Sequence, residues 1–338
     1  MKTFLQPLQN LAEMEELQKL AGKNRGVIAV SGCMESQKAH LMYGLSGLFP
    51  CHLILSEDER SAKQIYEDYR FYDRDVLYYP ARDLLFFQAD IHGNLIIRQR
   101  MQVIKALLTR EEVTVVTSVD GCMDFLGSLE NIKKQLICFR NDSALDLDKL
   151  KDSLVQMGYE RVGQVEMPGQ FSIRGGIVDI YALTEENPWR IELWGDEIDS
   201  IRSFDAQSQR SLENLEEIVI YPAAEQQAEN SGITFPDYFP ADKTLIFLDE
   251  PNRLVENAQA VEEEFSQSCR NREEKGTANL SRGWMCGWND LQKKLNRRNC
   301  ISFSSLEPKK TGWDLTGNFN LTVKSMNSYQ SSFELLVK

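Results

Sequence analysis

Four short apolar runs punctuate the first 130 or so residues: GVIAVSG (26–32), CHLILS (51–56), VLYYP (76–80) and VTVVTS (113–118). They are rich in β-formers, and each is the length of one buried strand. Between them, 34–48, 58–71 and 95–109 carry helical patterns; in the last, Ile96, Ile97, Met101, Ile104, Leu107 and Leu108 fall at helical spacing. Strands alternating with helices predict βαβ units and a parallel sheet.

The pattern changes near residue 136. LDLDKLKDSLVQMGYERV predicts a short helix with acids at its N-terminus, where the helix dipole favours them. After it, GQVEMPGQFSIRGGIVDIYAL, PWRIELWGDEIDSIRSFD and LEEIVIYPAAE are short strands divided by Gly, Pro and Asn turns. The α/β pattern returns near 223: TLIFLDEP (244–251) predicts a strand, 252–274 a long amphipathic helix, and CISFSSL and NLTVKSM two more strands. The expected organisation is an α/β lobe over 1–135, an α+β antiparallel module over 136–222, and a second α/β part over 223–338. The module is inserted between two parts of one α/β fold.

Within the module, RIELWGDEIDSIRSFD (190–205) reads as two strands joined at Gly195-Asp196. Alternate strand residues face opposite sides. Ile191 and Leu193 form a core face, and Arg190, Glu192 and Trp194 share the other. In FSIRGG, Phe171 and Ile173 share a face and Arg174 points the opposite way, ahead of the flexible Gly175-Gly176. If these strands are neighbours, two guanidinium groups flank an indole. Arg and Trp are enriched at interface hot spots, and Arg suits bidentate carboxylate pairing. The alternative is that Trp194 packs under a loop or an adjoining domain and the arginines balance nearby acids.

Composition narrows the classes. The chain has 338 residues, 42% hydrophobic and 26% charged, with a net charge of -13. That is a globular balance, large enough for two or three domains, and its acidity argues against bulk nucleic-acid binding. No apolar run is long enough to span a membrane, and the N-terminus lacks the apolar core of a signal peptide, so a cytoplasmic location is expected. The cysteines at 33, 51, 122, 138, 269, 286 and 300 are scattered, which suggests neither a metal knuckle nor a disulfide framework. The histidines at 40, 52 and 92 do not cluster. No metal and no cofactor are expected, and no catalytic residue is assigned.

One motif touches on catalysis. GVIAVSGCMESQKAHL has the strand–loop–helix context of a phosphate-binding loop, whose spacing is G-x4-G-K-[ST]. Gly32 and Lys38 fit. Gln37 replaces the second glycine, which lets backbone N–H groups close on phosphate, and Ala39 replaces the Mg²⁺-binding hydroxyl. Asp249 and Glu250, after the strand TLIFL, resemble a Walker-B pair. The alternatives are a vestigial site or acids that cap the next helix.

Two sets of residues carry a family resemblance. PGQFSIRGGIVDIYALTEENPWRIELWGDEIDSIRSFDAQSQRS (168–211) closely resembles the second domain of the transcription-repair coupling factor (Mfd) family, and more distantly that of UvrB. LYYPARDLLFF (77–87), IIRQRMQVIKALL (96–108), IFLDEPNRL (246–254) and SYQSSFELL (328–336) resemble other parts of the family's N-terminal region. The resemblance implies a UvrB-like module of domains 1a, 2 and 1b: lobes built like a helicase core around a degenerate phosphate loop. It implies that domain 2 binds UvrA, through residues that fall on Arg174, Arg190 and Trp194. The family more often has phenylalanine at the last position. The family's RNA-polymerase-interacting and DNA-translocase parts have no counterpart here, so the chain is expected to be the N-terminal part of a longer protein.

Three functions are therefore weighed: recruitment of UvrA by a module without ATPase activity, an active ATP-dependent DNA helicase or translocase lobe, and direct DNA binding. The substitutions at Gln37 and Ala39 stand against the second, and net acidity stands against the third.

Overall fold

The computed structural model describes residues 12–21, 25–82, 91–223, 228–276, 281–307 and 312–321, together with positions 5, 6 and 8. The first part contains α1 (Ala12–Ala21), β1 (Gly26–Ser31), α2 (Glu35–Leu45), β2 (Cys51–Ser56), α3 (Glu59–Arg70), β3 (Leu77–Tyr79), α4 (Ile91–Thr109) and β4 (Val113–Ser118). Two short helices, α5 (Val119–Met123) and α6 (Leu129–Gln135), then lead into the module.

The module contains β5 (Ile137–Arg140), α7 (Leu147–Gln156), β6 (Glu160–Arg161), β7 (Gln170–Arg174), β8 (Ile177–Ile180), β9 (Trp189–Trp194), β10 (Glu197–Phe204), β11 (Ser211–Leu215) and β12 (Glu217–Ile220). After it come β13 (Thr244–Asp249), α8 (Pro251–Glu274), α9 (Trp288–Asn296), β14 (Asn299–Phe303) and β15 (Leu315–Asn320).

Seven strands form a parallel sheet in the order β15-β1-β14-β13-β2-β4-β3. β1 and β2 are consecutive in the chain, yet β14 and β13 lie between them. The chain before the module and the chain after it therefore interleave in one sheet. β1, β2, β4 and β13 are buried along their whole length. Leu53 and Leu55 enter one core with Val115 and Ile246, while Ile54 enters the other with Val116 and Phe247. Burial on both faces explains why these strands read as continuous apolar runs rather than alternating ones.

The module has its own six-stranded sheet, ordered β11-β10-β9-β8-β7-β6 and antiparallel except at β6–β7. One face packs on α7 through Phe171, Val178, Ile180, Ile191, Ile198 and Ile201, a core separate from those of the parallel sheet. β5 and β12, at the module's two ends, pair antiparallel. The fold is thus α/β with an antiparallel α+β insertion, as the hydrophobic pattern and the resemblance implied.

Two elements depart from expectation. Among the described residues the last strand is Leu315–Asn320, which was not among the expected elements, and most of NLTVKSM lies outside the described residues. β15 is an edge strand, mostly exposed or half-buried, so it has no apolar run to announce it. Helix α1 has no counterpart among the expected elements; its Met14, Leu17 and Ala21 are buried in the core over β1. The SYQSSFELL stretch and part of LYYPARDLLFF (83–87) also lie outside the described residues. No helix among the described residues is long and apolar enough to cross a membrane.

Candidate functional site

The second face of the module's sheet carries polar residues, covered at Ser172 and Asp179 and open toward the β9–β10 turn, where Trp194 is exposed. The sheet's register places Ser172 opposite Asp179, Asp179 opposite Arg190 and Arg190 opposite Arg202, so one polar row crosses four strands. Two residues farther along the strands, Arg174, Ile177 and Glu192 form the next row. Trp194 closes the row nearest the β9–β10 turn, opposite Glu197. Gly195 makes that turn at φ +64°, the left-handed region a glycine occupies without strain.

The two arginines are brought together by an acid that strand alternation in β7 and β9 does not single out. Asp179 is 1% exposed. Its Oδ1 accepts a 2.6 Å bond from Arg190 Nε, and its Oδ2 accepts bonds from Arg190 Nη2 at 2.9 Å and Arg174 Nη2 at 2.8 Å. Arg190 also donates to Gln209 Oε1 at 2.9 Å and lies 4.3 Å above the Phe204 ring. Its hydrogen bond to Asp179 raises its pKa above the usual arginine range, against the opposing effect of burial. Arg174 is about half exposed, whereas Arg190 is largely covered.

This geometry corrects the expected arrangement. Strand β8 lies between β7 and β9, so the strands of Arg174 and Arg190 are not neighbours. The guanidinium groups converge on Asp179 rather than flanking the indole. Trp194 stands at the tip of the hairpin and is 83% exposed, so no loop of the described chain packs over it. Beside it, Glu192 is engaged by Arg202 and Ser200, which neutralises that part of the face. The sequence did carry a signal for Asp179: an acid inside the apolar run IVDIY, on the alternation opposite Val178 and Ile180.

The phosphate-loop position lies at the C-terminal ends of β1 and β13, in the parallel sheet rather than the module. Lys38 is 1% exposed, and its Nζ bonds Glu35 Oε1 at 2.9 Å, Asp249 Oδ1 at 2.7 Å and Glu250 Oε1 at 2.7 Å. Burial disfavours the ammonium, but the carboxylates outweigh it and raise its pKa. Burial also pushes Asp249 up against the pull of Lys38, while the Lys38 and Ser305 bonds hold Glu250 below the usual carboxylate range despite burial. Glu250 sits at the N-cap of α8 with φ +48°, but its side chain makes no cap. It accepts bonds from Lys38, Ser305 N and Ser305 Oγ instead, which overturns the helix-capping alternative.

The other loop residues are committed as well. Gln37 Oε1 accepts from Met34 N at 3.4 Å, and Ala39 is buried in the core beneath the loop. Gly32 has φ +78°, and a Cβ there would lie 2.2 Å from the Leu321 carbonyl oxygen. The glycine is required by the later chain segment passing over it. Among the described residues, no three His, Cys, Asp or Glu side chains gather as metal ligands would.

The chain is thus a parallel α/β lobe with an antiparallel insertion, and comparison with known proteins finds a family match for the insertion. Residues 137–225 match the UvrB interaction domain. The chain is similar to transcription-repair-coupling factors and to UvrABC system B proteins. It is 37% identical over 211 residues to the transcription-repair-coupling factor of Bacillus subtilis (strain 168), covering 58% of this chain and 18% of that protein. It is 32% identical over 189 residues to UvrABC system protein B of Thermotoga maritima, covering 51% of this chain and 28% of that protein. A Staphylococcus haemolyticus coupling factor is 31% identical over 221 residues, covering 64% of this chain and 19% of that protein. The chain thus spans less than a third of the length of these relatives.

Proposed function

We propose that this chain is a UvrB-like module that binds UvrA and thereby couples stalled transcription to nucleotide excision repair. The observation that carries the reading is the polar face of the module's sheet, where Arg174, Arg190 and Trp194 stand within a segment matching the UvrB interaction domain. Its organisation is a lobe over 1–135, a UvrA-binding module over 136–222 and a second part of the lobe over 223–338. The protein works in the cytoplasm, and contacts with RNA polymerase and DNA belong to other parts of a longer family member.

The lobe acts as a scaffold without ATPase activity. Its Lys38 ammonium, which in a working loop meets the β- and γ-phosphates, is occupied by three carboxylates. Anionic phosphates brought to that pocket would face Glu35, Asp249 and Glu250 in place of a metal and open amides. A titration with Mg²⁺-ATP is expected to show no saturable binding, and tight Mg²⁺-dependent binding would restore the helicase-lobe reading.

The UvrA assignment is tested by pull-down with purified UvrA. Arg174→Ala and Trp194→Ala should each weaken capture while the chain stays folded, because truncating an interface hot spot costs on the order of 2 kcal/mol or more; Arg190→Ala should weaken it through Asp179, the carboxylate that Arg190 shares with Arg174. Retention of UvrA by the Arg190→Ala and Trp194→Ala proteins at the wild-type level would remove the assignment.

A further inference from the structure

We infer that Asp179 is a positioning residue: with Gln209 it mounts Arg190 and fixes Arg174 as the cation offered to a carboxylate on the partner's surface. The inference rests on the UvrA-binding reading and names the chemistry of that contact.

The division of labour follows from where each donor goes. Arg190 spends Nε and Nη2 on the two oxygens of Asp179, and Nη2 again on Gln209. Its flat face rests on Phe204 and only 14% of the side chain is exposed. A guanidinium so engaged and covered has little left for a partner. Arg174 shares only Nη2 with Asp179, and 48% of its side chain is exposed. Among the described residues no other bond engages its N–H donors, and a planar guanidinium with free donors suits a carboxylate.

The charges agree with this assignment. One buried carboxylate between two guanidinium groups leaves one unit of positive charge on the cluster, expressed at Arg174. Glu192 does not cancel it, since Arg202 holds that carboxylate. Trp194, two residues farther toward the turn, adds exposed apolar area on the same face. The complementary surface is an acidic side chain beside an apolar patch.

Gln209 supports the mount from outside. Its φ is +59°, a conformation costly for a side chain other than glycine, and its amide is tied by a 2.8 Å bond to the Ala206 carbonyl. A strained backbone that aims one amide oxygen at Arg190 is consistent with a required orientation. Asp179 itself cannot reach a partner from its buried position, so it acts through the arginines.

The test uses the whole chain and purified UvrA. Asp179→Asn keeps the volume of the side chain but turns one acceptor oxygen into a donor facing a guanidinium. It should weaken UvrA binding by about tenfold or more, the scale of a hot-spot loss. In ¹⁵N spectra, the slowly exchanging Arg190 Nε–H expected in the wild type should exchange measurably faster in the variant, because the charge that strengthens its bond is gone. In a background of Arg174→Ala, the Asp179→Asn change should add little, because both act through the same guanidinium. Gln209→Gly keeps the left-handed backbone, removes the outer support and should weaken binding about threefold or more, with stability unchanged or raised.

Wild-type binding by a folded Asp179→Asn protein would overturn the inference. If that variant does not fold, Gln209→Gly decides: unchanged binding together with an unchanged Arg190 Nε–H signal overturns it. If the wild-type chain does not bind UvrA, the functional reading fails. The mount is then judged from the Arg190 signal alone, whose unchanged exchange rate in Asp179→Asn would overturn it.

Discussion

At the scale of single residues, the chain places titratable groups where burial decides their state. His52 lies at the start of β2, 4% exposed, stacked on Phe247 at 6.0 Å and bonded through Nδ1 to Thr114 Oγ1 at 3.2 Å. Burial lowers its pKa from 6.5 to about 4, against a smaller opposing effect of the Ser46 backbone. The folded-state pKa is depressed, so the unfolded chain binds the proton first as pH falls. The contribution to stability is therefore full above pH 6.5 and is lost progressively between 6.5 and about 4. It amounts to at most about 3 kcal/mol, because each tenfold change in proton affinity is worth about 1.4 kcal/mol. Urea unfolding of wild type and His52→Asn at neutral pH and near pH 4.5 checks this: the stability gap between them should narrow in acid. Asp179 belongs to the same scale. As an acid in an apolar run it was visible in the sequence, but its two guanidinium partners depend on the register of three strands.

At the scale of elements, Lys38 ties α2 to the end of β13 and the start of α8. Lys38→Ala would leave Asp249 and Glu250 buried without their cation, Asp249 being 3% exposed. Removing one partner of a buried ion pair costs about 3–5 kcal/mol, so the variant's urea midpoint should fall accordingly. An unchanged midpoint would mean that the cluster relaxes into water. The spacing of Gly32 and Lys38 made this element legible as a phosphate-loop frame. What the spacing did not reveal was that Glu35, one turn before Lys38, supplies a third carboxylate. Nor did it reveal that Gly32 is fitted against the Leu321 carbonyl, which comes from almost three hundred residues away.

At the scale of the molecule, topology separates what can fold alone from what cannot. The antiparallel module has its own core, and its end strands β5 and β12 pair with each other. Residues 136–222 expressed alone are expected to fold, with β-rich circular dichroism and a cooperative unfolding transition. Residues 1–135 alone should not: β13 and β14, which fill the space between β1 and β2, come from the chain after the module. A well-folded 1–135 peptide would contradict that account. The lobe therefore completes itself only after the module has been made, a long-range closure of the kind that slows folding.

The sequence by itself determined the α/β class with an antiparallel insertion, the faces of the module's strands and the departures from the phosphate-loop pattern. Each is a local property, set by apolar spacing, turn residues or the identity of one side chain. Which strands become neighbours, and so which side chains meet, was decided only by the tertiary structure. Alternation showed that Arg174 and Arg190 point outward from the module's core face. It took the placement of β8 between β7 and β9 to bring both guanidinium groups to Asp179 and leave Trp194 exposed at the hairpin tip. Pairing between strands is a contact between distant parts of the chain, and no local pattern encodes it.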